Sequence, residues 1–266
     1  IGVMRDPLLP LLPGPQDADR PWLICYGIDE RVELTGHVLS MWLAKIAGFV
    51  TSESVPGDGV HVALPPHWRS VAWACGTWLA GRSVLLGSNE EIRTAGLIPE
   101  LSVAFTPESL YDEAEAQALV PPASLALRWP DELPALVLDG AADLMHYPDR
   151  FTPVSTAADS VCLTDLTSEA AAPAAPGAPG GTAPSDGRLT VLTRAQLAAR
   201  VEAADAPTGS GRHSASRAVL VRSPDTAQML QEVLVAWRTG RTAVVLTPEA
   251  GDDVAAAAIR QEGITA

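Results

Sequence analysis

The chain has 266 residues, 47% of them hydrophobic, and 32 acidic against 18 basic side chains leave a formal net charge of -14. That length and composition support a packed globular core, while the negative field opposes nucleic-acid phosphates and anionic membrane surfaces as partners. No apolar run reaches the roughly 18 to 20 residues of a membrane span. Prolines break the opening segment, so no signal peptide is expected there, and a soluble cytoplasmic protein is the expectation. Cys25, Cys75 and Cys162 are widely spaced among apolar neighbours and read as buried thiols, without a disulfide framework or a metal cluster.

In chain order, Trp22-Leu-Ile-Cys-Tyr26 suits a strand, and the charged Asp29-Glu30-Arg31 suits a turn. Thr35 can cap a helix, with Leu34 stapled to Leu39, and Val38, Leu39, Trp42, Leu43, Ile46, Phe49 and Val50 follow at the spacing of one buried face. Val60 to Leu64 reads as a strand. Pro65-Pro66 suits the opening of a helix that runs through Trp68 and Cys75 and stops at Gly81, before a strand at Ser83 to Leu86. The same unit recurs: a strand at Ala218 to Val221, Ser223-Pro224 as cap and opening, a helix through Met229 and Trp237, Gly240 as its stop, and a strand at Thr242 to Leu246. Trp78-Leu-Ala-Gly81-Arg82 against Trp237-Arg-Thr-Gly240-Arg241 displays the echo. Each unit predicts a parallel strand pair with a right-handed crossover.

Between the units, residues 89–95 suit a short helix and residues 101–105 a strand, while residues 107–150 give no clear pattern. Arg188 to Leu192 reads as a strand, with Thr193 capping a helix through Leu197 and Val201. A last helix starts near Asp252-Asp253 and ends at Gly263, and Ile264-Thr265-Ala266 reads as the first step of a strand. A strand edge there would need covering, which makes a homodimer or a protein partner an expectation. The fold class that follows is α/β, with layered, mainly parallel sheets and crossover helices. The division that follows is a first α/β subdomain over 1–150, with an extension over 1–20, and a second over 151–266.

Taken together, Arg31-Val-Glu-Leu-Thr35, Trp42-Leu-Ala-Lys45, Val62-Ala-Leu-Pro-Pro-His-Trp68 and Trp78-Leu-Ala-Gly81 resemble the N-terminal part of the AMP-forming acyl and aryl synthetases, the adenylate-forming superfamily. The resemblance is greatest to short actinobacterial proteins of unknown function that keep only that part, and it implies a truncated N-terminal domain of that fold. In the superfamily a loop of the form Thr-Ser-Gly-(Ser/Thr)-Thr-Gly-x-Pro-Lys-Gly wraps the ATP phosphates. The corresponding place here starts Leu166-Thr167-Ser168-Glu169 and continues as an Ala/Pro/Gly run. Only Thr167 and Ser168 match the loop. Glu169 puts negative charge where a phosphate would lie, and prolines supply no N–H. The expectation for 167–188 is a mobile surface loop.

The resemblance also implies a loop lysine and a catalytic lysine on a separate small domain, yet Lys45, in the first long helix, is the sole lysine. Where the synthetases carry Pro-x-x-His after a strand, this chain reads Pro224-Asp-Thr-Ala227. The expected function is therefore a non-catalytic relative that binds a small molecule or a protein. The alternative is a nucleotide- or acyl-CoA-binding ligase fragment completed by a second polypeptide. No catalytic residue, no metal site and no cofactor is expected, and ATP or AMP would touch at most Thr167 and Ser168. His67 and Trp68 fall just past a parallel strand, where open α/β sheets place their ligand crevices, and with Ser223, ahead of a helix, they make up the candidate pocket.

Overall fold

The computed structural model describes residues 6–17, 20–167, 189–205 and 216–265. The expected mobile loop, from Ser168 onward, lies outside the described residues. Strands β1 (Pro21–Tyr26) and β2 (Arg31–Thr35) are followed by α1 (Gly36–Glu53), β3 (Val60–Ala63), α2 (Trp68–Leu79), β4 (Val84–Leu86) and α3 (Asn89–Ala95). Next come β5 (Leu101–Ala104), β6 (Gln117–Leu119), β7 (Leu138–Asp139), β8 (Val161–Asp165), β9 (Thr190–Thr193) and α4 (Arg194–Asp205). Finally β10 (Ala218–Val221), α5 (Thr226–Arg238), β11 (Thr242–Leu246) and α6 (Asp252–Gln261) complete the fold.

The strands form two sheets, one ordered β10-β11-β1-β2 and the other β7-β6-β5-β3-β4-β8-β9. Pairing is parallel except for β1 with β2 and β8 with β9, so the expected α/β class holds. Each sheet takes strands from both sides of residue 150, so that position marks no break between sheets.

Side-chain alternation builds the layers. In β1, Leu23 and Cys25 enter the main core while Ile24 and Tyr26 face a second cluster with Ala255 and Ala258 of α6. In β4, Val84 and Leu86 enter the main core while Leu85 packs with Ile92 of α3 on the outer side. Both faces of these strands are covered, which is why they read as unbroken apolar runs. Helices α1 and α5 pack on the first sheet, α4 packs on β8 and β9 of the second, and α2 touches β1 as well as β3 and β4. These four helices fill the space between the sheets.

The Thr35 cap forms as expected, its hydroxyl accepting the Val38 N–H at 3.2 Å. Thr193 likewise accepts the Gln196 N–H at 3.2 Å, and Leu197 and Val201 are buried. Gly81 and Gly240 take the left-handed backbone, φ +74° and +70°, that ends α2 and α5.

Several expectations are corrected. The segment read as turn and helix start contains β2, whose outward Arg31 and Glu33 alternate with buried Val32 and Leu34. Val38 is exposed, because α1 buries the stripe through Leu39, Leu43, Ile46, Phe49 and Val50. Pro65-Pro66 precede α2, which is capped by His67, and Ser223-Pro224 precede α5, which is capped by Asp225. Ile264 starts no strand: its N–H donates to the Ile259 carbonyl at 3.0 Å and closes α6.

Candidate functional site

The carboxyl ends of the parallel strands carry two adjoining clefts. The first, about 300 Å³, is walled by the turns that follow β1, β3, β5, β6 and β11, and so draws on both sheets. Glu30, His67, Phe105, Ser124 and Glu249 come from those five turns in that order.

His67 is buried and held on three sides. Its Nδ1 accepts the Arg69 N–H at 3.1 Å, its Nε2 lies 3.3 Å from Ser124 Oγ, and its ring meets Phe105 edge-on at 5.2 Å. An Nδ1 that accepts an N–H carries no proton, so the proton of the neutral ring sits on Nε2 and points at Ser124. Burial, helped by the neighbouring Arg69 charge and opposed by Glu30, lowers the His67 pKa to about 4. With its proton already on Nε2, His67 is unable to take one from Ser124, and the pair is not a nucleophile with its base. It is a fixed hydrogen-bonding wall.

Arg69, buried beneath this wall, fixes the Ser124 turn. Its Nη2 donates to the carbonyls of Ala123, Ser124 and Ala126 at 3.3, 3.2 and 2.7 Å. The guanidinium lies 4.6 Å from the Trp68 ring centroid, and burial lowers its pKa to about 10. From the other side, Glu30 Oε2 accepts the Ser124 N–H at 2.9 Å.

The second cleft, about 240 Å³, lies past β3, β4, β8 and β10 and is lined by Gly87, Thr167, Pro224, Asp225 and Thr226 among others. Pro66 belongs to both. Thr167 N–H and Oγ1 both donate to Asp165 Oδ1, at 3.0 and 2.6 Å, so its hydroxyl proton is committed to its own strand. Asp225 is the sole charged side chain among the described residues that line this cleft.

Of the residues singled out from sequence, His67 lines the first cleft and Thr167 the second, while Ser168 lies outside the described residues. Trp68 is buried, edge-on to Trp42 at 5.4 Å, in the core behind His67. Ser223 is buried beside the second cleft, and its Oγ has no hydrogen-bond partner among the described residues. Lys45 is spent elsewhere, on the Tyr147 carbonyl and the Asp149 carboxylate, both at 2.7 Å. No group of three or more His, Cys, Asp or Glu side chains is placed to hold a metal ion, and no helix is long and apolar enough to cross a membrane, among the described residues. Applied to every strand read from the sequence, the strand-end rule that singled out His67 also reaches Glu30, Phe105 and Glu249, but not Ser124, which follows β6 in a stretch without a clear sequence pattern.

No family model matches the sequence. A TIGR03089 family protein of Mycobacterium tuberculosis is 28% identical over 161 residues, 57% of this chain and 62% of that protein. An acyl-CoA synthetase of Brucella canis matches with a TM-score of 0.73 at 17% identity, over 98% of this chain and 46% of the synthetase. Acetoacetyl-CoA synthetase from Streptomyces lividans gives 0.67 at 16%, over 92% and 38%. The N-terminal subdomain of NpsA from Klebsiella oxytoca gives 0.63 at 14%, over 94% and 57%. The chain thus spans less than two thirds of each of these relatives. Nearly its whole length superposes on synthetases of the kind that its sequence motifs resemble, and it carries the fold of the N-terminal part of the adenylate-forming enzymes.

Proposed function

We propose that this chain is a non-catalytic relative of the AMP-forming synthetases, a binding module that holds a small molecule or protein partner at the strand ends without adenylating it. The observation that supports this reading is the lining of the second cleft beside Thr167, where Asp225 is the sole charged side chain among the described residues. Adenylation needs positive charge and backbone donors around the phosphates. Thr167 has spent its hydroxyl on Asp165, and Lys45 is held in an ion pair with Asp149.

The test is exchange of labelled pyrophosphate into ATP by the purified chain, with magnesium and a panel of aliphatic and aromatic carboxylic acids. No exchange above the enzyme-free blank is expected, and exchange with any acid overturns the reading. Thermal unfolding with ATP or AMP gives a second measurement. A bound nucleotide at a hundredfold excess over its dissociation constant would stabilise the fold by about 2.7 kcal/mol, and no such shift is expected. A clear shift would favour the ligase fragment that a second polypeptide completes.

A further inference from the structure

The first cleft has a chemical polarity of its own. Three carboxylates, Asp29, Glu30 and Glu249, line it, and none of its described lining residues is Arg or Lys. Its histidine is neutral by geometry, since Nδ1 accepts a backbone N–H. A second feature points to a ligand independently of that charge. Ser124 is only 6% exposed, yet it lines the cleft, and its Oγ is the acceptor for the His67 Nε2–H. The hydroxyl proton of Ser124 is therefore left over, with no protein acceptor among the described residues. Its backbone is clamped from both sides by Glu30 and Arg69, so the hydroxyl is presented rather than free to turn away with its loop. A buried donor without an acceptor is costly unless something in the cleft accepts from it.

We propose that this cleft binds a small organic cation: an ammonium drawn by Asp29, Glu30 and Glu249, an apolar body against Phe105, and a neutral acceptor on the Ser124 hydroxyl. A volume of about 300 Å³ suits a compact ligand of this kind. The same carboxylates repel an acid or a phosphate. The proposal rests on the binding-module reading and gives it a ligand class. Pyrophosphate exchange would defeat that reading whatever the amines do, whereas failure of the amine titration defeats this proposal alone.

Phenylalaninamide carries all three features; two analogues each remove one of them, and a third carries the opposite charge. Phenethylamine lacks the carbonyl, hydrocinnamamide lacks the charge, and hydrocinnamate reverses it. Calorimetric or NMR titration of the full chain at low salt is expected to rank phenylalaninamide first, phenethylamine and hydrocinnamamide behind it, and hydrocinnamate as non-binding. Glu249→Gln should weaken both amines about twofold to fivefold, as for an exposed charge pair, and raised salt should do the same. Ser124→Ala should weaken phenylalaninamide by about two- to tenfold, the range for one neutral hydrogen bond, while leaving phenethylamine unchanged. Unfolding curves of both variants check that the fold is intact. Hydrocinnamate binding as tightly as phenylalaninamide overturns the proposal. So does the absence of saturable binding by either amine, or an equal loss for both amines in Ser124→Ala.

Discussion

The two strand-helix-strand units, β3-α2-β4 and β10-α5-β11, share a register: Val60 pairs with Val84 as Val219 pairs with Ala243, and His61 with Leu85 as Leu220 with Val244. In each unit the helix tryptophan donates its indole N–H to a backbone carbonyl at 2.8 Å, Trp78 to Cys162 and Trp237 to Trp22. The difference lies in what surrounds them. Every residue of α2 from Trp68 to Trp78 is buried, whereas α5 keeps a wet side with Gln228 exposed. At the same distance ahead of the tryptophan, the first unit has His67 and Arg69 and the second has Thr226 and Gln228. One repeated scaffold thus carries a buried polar wall in one copy and an ordinary amphipathic helix in the other. The polar wall sits in the copy whose helix is buried from Trp68 to Trp78.

The largest effect tests the shared part. Trp78→Ala and Trp237→Ala should each cost about 3–5 kcal/mol by denaturant unfolding, the range for a buried Trp→Ala change. A cost below about 1 kcal/mol for Trp237→Ala would break the equivalence of the units, since it lies well under that range.

Acid should act next, and through the first unit. Burial, only partly opposed by the bond to the Gly87 carbonyl, lowers the His61 pKa to about 4, as burial and Arg69 do for His67. The ordinary value is near 6.5, so the unfolded chain binds these protons first. The stability that neutral burial provides is complete above about pH 6.5 and is lost as the pH falls through about 4, because charging either ring favours the unfolded state. Leu220 and Thr226 hold the matching places in the second unit and do not titrate. Proton uptake on unfolding, measured from the pH dependence of the unfolding free energy, should fall in His61→Leu and in His67→Thr. A slope unchanged by both substitutions would sink the assignment.

A matched exchange in the first turn of each helix sharpens the contrast. Arg69→Gln leaves buried carbonyls of the Ser124 turn without their donor, at about 1–3 kcal/mol by the cost of an unsatisfied buried group. Gln228→Arg, on the wet face of α5, should stay within about 0.5 kcal/mol, as surface changes do. Comparable losses for the two would mean that the α2 N-terminus is not the special end.

The scaffold was legible because long buried strands and one-sided helices leave strong patterns: Trp22 to Tyr26, the Thr35 cap, and the Trp-x-x-Gly-Arg echo all appear where the sequence places them. The short elements were not legible. β2 has five residues with two charged ones facing out, and β6 and β7 have three and two, so their neighbours in the sheet define them more than their own residues do. Of the residues that line the two candidate clefts, the sequence singled out His67 and Thr167, each of which lies within a few residues of a strand end. Glu30, Ser124 and Glu249 look like ordinary loop residues until the strand ends of both sheets converge, and Arg69 looks like an exposed helix residue until the 123–126 turn folds over it.

The smallest effect concerns how each helix begins. Proline ahead of a helix invites the reading that it opens the helix, yet in both units the cap comes later, at His67 and at Asp225. The side chains do the same job with different chemistry: Asp225 Oδ1 accepts the Gln228 N–H at 2.7 Å, and His67 Nδ1 accepts the Arg69 N–H at 3.1 Å. A carboxylate cap also meets the helix dipole favourably. Asp225→Ala should therefore cost about 1 kcal/mol, whereas Asp225→Asn, which keeps an acceptor, should cost a few tenths. The imidazole cap works only while Nδ1 is unprotonated, so His67→Asn should preserve the α2 cap while removing the donor to Ser124. If His67→Asn left both the unfolding free energy and amine binding at the first cleft as they were, His67 would be a cap and nothing more.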